Sequence, residues 1–149
     1  MISEPDFNVF YPDRPGIRKV LGELEAEIME LIWSRPPDQG IIVRDIFDVL
    51  YERRQKQIAY TTVMNTMTRL AKKHLLRVEK KDQAYIYYAN FTQEEFVSRF
   101  VGRILEDLFA NFSGAALEHL NTLPDSPAAT QARQYLAEIT RLRQEEEEA

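Results

Sequence analysis

Tyr60-Thr61-Thr62-Val63-Met64-Asn65-Thr66-Met67-Thr68-Arg69-Leu70-Ala71-Lys72-Lys73 reads as a helix whose two faces meet opposite demands. At roughly 100° per residue, Val63, Met67, Leu70 and His74 share one side, and Thr61, Asn65, Thr68 and Lys72 share the other. An ordinary solvated helix face mixes Glu with Lys, which combine solubility with helix propensity. This face has no acid, and its threonines and asparagine weaken the helix, as β-branched and short polar side chains do. Such short donors and acceptors reach base edges in a major groove, and Arg69, Lys72 and Lys73 beside them are placed to neutralise phosphates.

The surrounding charge points the same way. Arg53, Arg54, Lys56, Arg69, Lys72, Lys73, Arg77, Lys80 and Lys81 stand against one acid, Glu79, a local net of +8 in a chain whose total is −5. Positive charge gathered into one stretch of an acidic chain is what a polyanion-binding surface requires. A merely solvated basic face would account for the charge but not for the acid-free Thr/Asn surface beside it.

Composition excludes several other functions. No run approaches the roughly 18 apolar residues of a membrane span. Glu4 and Asp6 leave the first residues without the basic and apolar parts of a signal peptide, so no membrane partner and a cytoplasmic location are expected. The absence of cysteine excludes disulfides, thiolate metal centres and a cysteine nucleophile. His74 and His119 are far apart, and neither a phosphate-binding glycine loop nor a spaced set of metal ligands occurs. The chain is therefore read as a non-enzyme without catalytic residues, metal or cofactor.

Outward from the opening stretch, the chain divides into three. Residues 1–19, with Pro5, Pro12 and Pro15 among Phe7, Phe10 and Tyr11, form an extended arm. Its Arg14, Arg18 and Lys19 either reach toward a duplex or pack onto the domain. Residues 20–90 carry a helix from Leu21 to about Arg35, with Leu21, Leu24, Ile28 and Leu31 inward and Glu23, Glu25, Glu27 and Glu30 outward. Trp33 is a core anchor, and Pro36-Pro37-Asp38-Gln39-Gly40 turns the chain. Ile41-Ile42-Val43 suits a short strand; a second helix spans about 44–54 with Ile46, Phe47 and Leu50 inward.

Helix, turn and the polar-faced helix make a helix-turn-helix. A hairpin follows from Leu75–Lys80 and Ala84–Ala89, in which Leu76 and Val78 alternate with Arg77 and Glu79, so that one face is buried. Its tip, with Lys80 and Lys81, suits a phosphate backbone or a minor groove. The expected fold is mainly α with a small β-hairpin, a winged helix-turn-helix domain followed by C-terminal dimerisation helices. The phosphate-contacting set is Lys56, Tyr60, Arg69, Lys72, Lys73, Arg77, Lys80 and Lys81.

Residues 91–149 have another character, with five bases against eleven acids. Thr92 and Glu95 form a capping box that opens a helix to about Phe112. Its apolar residues are Phe96, Val97, Phe100, Val101, Ile104, Leu105, Leu108, Phe109 and Phe112, a stripe too wide for a helix resting on one neighbour, and they are read as the dimerisation surface. Gly114 permits a bend, Ala115–Leu123 a short helix and Pro124–Pro127 a break. A last helix carries Ala132, Tyr135, Leu136, Ile139 and Leu142 on one side.

The segments LGELEAEIMELIW (21–33), YTTVMNTMTRLAKKHLL (60–76) and AYIYYA (84–89), in that order and spacing, resemble the winged-helix penicillinase-repressor (BlaI/MecI/CopY) family. The resemblance implies a homodimeric transcriptional repressor that occupies a palindromic operator in double-stranded DNA. It implies base contacts at the start of the recognition helix, at Thr61, Thr62, Met64 and Asn65, to which the outward face adds Thr68. It also implies release by a regulatory protease acting in the C-terminal helices, with Ser113-Gly114 the expected site. Two departures stand out. The family usually has glycine where His74 stands and another in the wing turn, and the cysteine ligands of its copper-responsive branch are missing here. The alternative of a different class is a winged-helix interaction module whose basic face docks an acidic protein.

Overall fold

The computed structural model describes residues 3–122 and 127–148, and the chain divides into two compact units, Met1–Ile104 and Leu105–Ala149. The first unit holds α1 (Glu23–Trp33), α2 (Val43–Arg53), α3 (Tyr60–Lys72), an antiparallel hairpin of β1 (Leu76–Lys81) and β2 (Ala84–Ala89), and the start of α4 (Gln93–Asn121). The second holds the rest of α4 and α5 (Pro127–Glu148). This is a winged helix followed by C-terminal helices.

The core explains the order of elements. Ile28 and Met29 of α1, Ile46 and Leu50 of α2, Val63, Met67 and Leu70 of α3, and Leu75 and Leu76 at the base of the hairpin lose essentially all their exposure. Three helices each contribute one apolar stripe, and the hairpin closes the remaining side through Leu76 and Tyr87. Ile41, expected to begin a strand, makes only one bridge: its N–H donates to Tyr87 O at 2.9 Å, and Tyr87 N–H returns a bond to Ile41 O at 2.8 Å. Ile42 is already the N-cap of α2 and Val43 its first residue. No longer strand forms because the helix begins there. Gly40, just before, passes so close to the wing that a Cβ would stand 2.4 Å from Ile86 Cγ2, so any larger residue would have to displace the Ile86 side chain.

Several expectations about burial change. Val78 is 44 % exposed, since its face of the two-stranded hairpin looks into an open groove lined by Ile42, Tyr60, Met64 and Thr68 and not onto a packed layer. Leu24 and Leu31 are only partly buried, while Glu25, placed outward by its charge, is buried. His74 lies past the end of α3 and is exposed. The N-terminal arm packs down. Phe7 is buried edge-on against Phe100, with ring centroids 6.2 Å apart, and Asp6 N–H donates to Lys73 O at 2.8 Å. Arg18 is held by Glu23 and Glu30, and Lys19 Nζ donates to the carbonyls of Pro12 and Arg14. Arg18 thus ties the arm to α1, and Lys19 closes the arm on itself.

The first unit runs past Asn90 because α4 begins inside its core. The capping box is present, with Glu95 N–H donating to Thr92 Oγ1 and Thr92 N–H to Glu95 Oε1. Phe96 has no exposure and packs on Trp33 at 5.8 Å and Phe100 at 5.3 Å, while Trp33 Nε1 donates to Phe91 O at 2.8 Å. Phe96 and Phe100, expected at a dimer surface, are thus consumed within one chain. The bend of α4 falls at Phe112, whose φ of −139° and ψ of 44° are not helical, and the helix continues through Gly114. The expected break at 124–126 and the side chains of Tyr135, Leu136 and Ile139 lie outside the described residues.

Both helices of the helix-turn-helix end in the same way. Lys56 N–H bonds Tyr51 O and Gln55 N–H bonds Glu52 O; Leu75 N–H bonds Leu70 O and His74 N–H bonds Ala71 O. These paired bonds define a Schellman end, whose left-handed residue is usually glycine. Here Gln55 (φ 53°) and His74 (φ 65°) occupy it. The wing turn likewise has Asp82 (φ 49°) and Gln83 (φ 67°), the two positive angles of a two-residue hairpin loop that favours Asp-Gly. Left-handed backbone costs an L-residue about 1–2 kcal/mol, so Gln83→Gly should raise unfolding stability by about 1 kcal/mol in urea. Conversely, Phe96→Ala should lower it by about 3–5 kcal/mol, the usual cost of removing a buried phenylalanine; a loss near zero would mean that α4 does not close this core.

Candidate nucleic-acid interface

The inward residues of α3 fix its outward ones. With Val63, Thr66, Met67 and Leu70 buried, Tyr60, Thr61, Thr62, Met64, Asn65, Thr68, Arg69 and Lys72 are all left exposed. Thr66 buries its hydroxyl by donating to Thr62 O at 2.7 Å, four residues back. Thr68 donates to Met64 O at 3.0 Å, which leaves its oxygen free only to accept. The face then splits. Tyr60, Met64 and Thr68, one ridge at four-residue spacing, line a groove shared with Ile42, Val78 and Tyr85 of the α2 start and the wing. Thr61, Thr62 and Asn65 stand outside that groove and carry its freest polar groups.

The basic residues divide as well. Arg54 bonds Glu27 at 2.7 Å, with Arg53 at 3.8 Å from the same carboxylate. Arg77 and Lys81 lie 3.8 and 3.7 Å from Glu79. Lys73 Nζ bonds both oxygens of Glu25, at 3.1 and 2.8 Å, and Arg69 Nε lies 3.5 Å from the same carboxylate. Lys56, Lys72 and Lys80 are exposed and have no ion pair among the described residues. Strand alternation divides the wing further: Lys80 and Tyr85, paired across the hairpin, share the face of Val78 and Tyr87 that lines the groove, whereas Arg77, Glu79 and Lys81 lie on the other. Lys80 Nζ stands 5.8 Å from the Tyr85 ring centre, and Lys81 Nζ donates to Tyr88 Oη at 3.1 Å.

Glu25 is the residue that sequence patterning missed. It occupies the third position of α1, where its Oε1 accepts from Gly22 N–H at 2.9 Å, half of a capping box. Burial pushes its carboxyl up, but the hydrogen bond from Lys73, that from Gly22 N–H and the charges of Lys73 and Arg69 outweigh it and hold the group below its usual range. A glycine followed three residues later by glutamate was the available signal. It marks a helix start, not the partner that comes from α3.

No group of histidine and carboxylate side chains among the described residues could hold a metal ion. No described helix is long and apolar enough to cross a membrane. What the surface offers is short polar groups on a protruding helix, flanked by three lysines without an ion pair among the described residues.

The model of a family described as penicillinase repressor matches residues 21–141. A transcriptional regulator BlaI of Mycobacterium tuberculosis, in strains CDC 1551 / Oshkosh and ATCC 25618 / H37Rv alike, is 36% identical over 122 residues, which cover 80% of this chain and 84% of that protein.

The Glu25 pair makes a pH prediction. The carboxyl's folded value lies below its unfolded one, so the unfolded chain takes up the proton first as pH falls. The pair's stabilisation is therefore complete above the ordinary value of 4.5 and drains away as pH drops through it toward the lower folded value. Glu25→Gln keeps the capping hydrogen bond and removes the charge. The stability gap between wild type and Glu25→Gln, measured by denaturant unfolding, should narrow between about pH 6 and pH 3. A gap constant over that window would show that the charge contributes nothing.

Proposed function

The chain belongs to the penicillinase repressor family and is a transcriptional repressor, not an enzyme; from that premise we propose that it acts as a homodimer on a palindromic operator in double-stranded DNA. The observation that carries this reading is the outward face of α3, acid-free, exposed and bordered by Lys72. Thr61, Thr62 and Asn65 read base edges, with Met64 and Thr68 beside them toward the wing. Lys56 from the turn before α3, Lys72 from its far end and Lys80 from the wing are the phosphate contacts with no competing acid among the described residues. The hydroxyl of Tyr60 joins them at the mouth of the groove.

Dimerisation falls to the apolar residues that one chain leaves uncovered. Leu105 is 47 % and Phe112 63 % exposed, with Leu108 between them, whereas Phe96 and Phe100 belong to the core. Burying a side chain of this size from full exposure contributes about 1.5–3 kcal/mol; each of these three is already about half covered, so the six of a two-fold contact contribute roughly 4–9 kcal/mol, comparable with the lower part of an association cost of ~4–15 kcal/mol. Two recognition helices held about 34 Å apart then meet successive major grooves on one side of the duplex. The acidic charge of residues 91–149 suits a region kept off the phosphates.

The test begins with duplexes selected from a random library by the full chain, followed by anisotropy titrations at several salt concentrations. Asn65→Ala should lose about 1–3 kcal/mol of discrimination between selected and random duplex. Lys72→Ala should weaken both alike and flatten the salt slope by about one. No selected sequence, with salt-insensitive binding, would instead favour docking of an acidic protein.

A further inference from the structure

Glu25 sits where two helix ends meet. Its carboxylate lies in the first turn of α1, where the helix dipole favours an anion, and Lys73 is the C-cap of α3, where the dipole favours a cation. The side chain is 7 % exposed, against 25 % for Lys73 and 56 % for Arg69. Three independent bonds pin this end of α3: Glu25 to Lys73, Asp6 N–H to Lys73 O, and Asn90 Nδ2 to His74 O at 2.9 Å. The other end of α3 carries no such polar bond: its N-cap Ala59 makes no side-chain cap, and it rests on packing, with the Tyr60 ring 5.4 Å from that of Phe47. A carboxylate in this position does two things. It ties the recognition helix to α1, and it pairs with two of the three cations at that end of α3, Lys73 and Arg69, and not with Lys72.

We propose that Glu25 is a positioning residue for DNA recognition, which withholds Lys73, and in part Arg69, from the phosphate backbone so that α3 meets the duplex through its first turns. This rests on the DNA-binding reading above. Lys73 then belongs to the scaffold and not to the phosphate-contacting set, although the charge of the sequence places it there. Discrimination depends on α3 meeting the bases in one register: a further lysine–phosphate contact is open to every sequence and makes binding steeper in salt, and by drawing the end of the helix toward the backbone it strengthens random binding more than binding that needs that register. Glu25 keeps that effect small without removing the lysine that anchors the helix.

Three variants of the full chain test it, each titrated against a selected and a random duplex over a range of salt, with unfolding curves to show that each is folded. Glu25→Gln retains the capping bond and frees both cations. Its affinity for random duplex should rise several-fold, by up to about eightfold at 0.1 M salt for each further phosphate neutralised, with the salt dependence steepening by about 0.9 per phosphate. The ratio of selected to random affinity should fall. Lys73→Met should leave the salt slope at its wild-type value, and in the Glu25→Gln background it should reverse most of the steepening.

Parallel losses on both duplexes with an unchanged slope for Glu25→Gln would reduce the residue to a stabilising role and overturn the proposal. Should Glu25→Gln not fold, Lys73→Met decides alone: a salt slope lowered by about one would mean that Lys73 already holds a phosphate. Wild type that shows no salt-dependent binding to any duplex would overturn the DNA reading first, and this proposal with it.

Discussion

A recognition helix can be fastened to its protein by one face only, since the other must stay open to a ligand. α3 meets this condition with three fully buried residues, Val63, Met67 and Leu70, and with a buried Thr66 that satisfies its hydroxyl on its own backbone. Its sequence is rich in threonine and poor in the residues that make a helix stable alone, so its order comes from tertiary packing. Hence its C-terminal end is tied from three directions, by α1, by the N-terminal arm and by the residue that follows the wing. The outward surface can then be chosen for recognition alone.

The rest of the first unit supports that helix from behind. Trp33, Phe96, Phe100 and Phe7 form a continuous run of ring contacts that recruits both the arm and the start of α4 into the domain. Aromatic pairs at 5–6 Å add modestly to their burial energy. Their larger effect here is topological, because the same helix that closes the core carries on into the second unit. Tight connections also tolerate local strain: Gln55, His74, Asp82 and Gln83 all hold left-handed backbone that glycine would adopt more readily.

Charge is distributed just as sparingly. Three glutamates, Glu27, Glu25 and Glu79, each hold two of the basic residues of the +8 stretch, and among the described residues Lys56, Lys72 and Lys80 are left without an ion pair. Exposed pairs of this kind contribute little to stability. The Glu25 pair differs because its carboxylate is buried, and removal of one partner from such a pair costs far more than the pair itself contributes. Counting charges along a sequence therefore overstates the free positive surface.

The winged-helix order, the inward and outward faces of α3, the capping box at Thr92 and the absence of cysteine chemistry are all legible in the amino-acid sequence without coordinates. These follow from spacing and side-chain chemistry within a few residues of one another, which is where local rules hold. Whatever depends on partners distant in the chain waits for the packed fold. Glu25 reads as a solvent-facing acid until Lys73, 48 residues away, is brought against it. Phe96 and Phe100 read as interface residues until Trp33 and Phe7 cover them. Val78 reads as buried until its face of the wing is seen to line an open groove against α3. Periodicity shows that a residue has an inward or outward side, but the neighbour on that side is set by long-range packing.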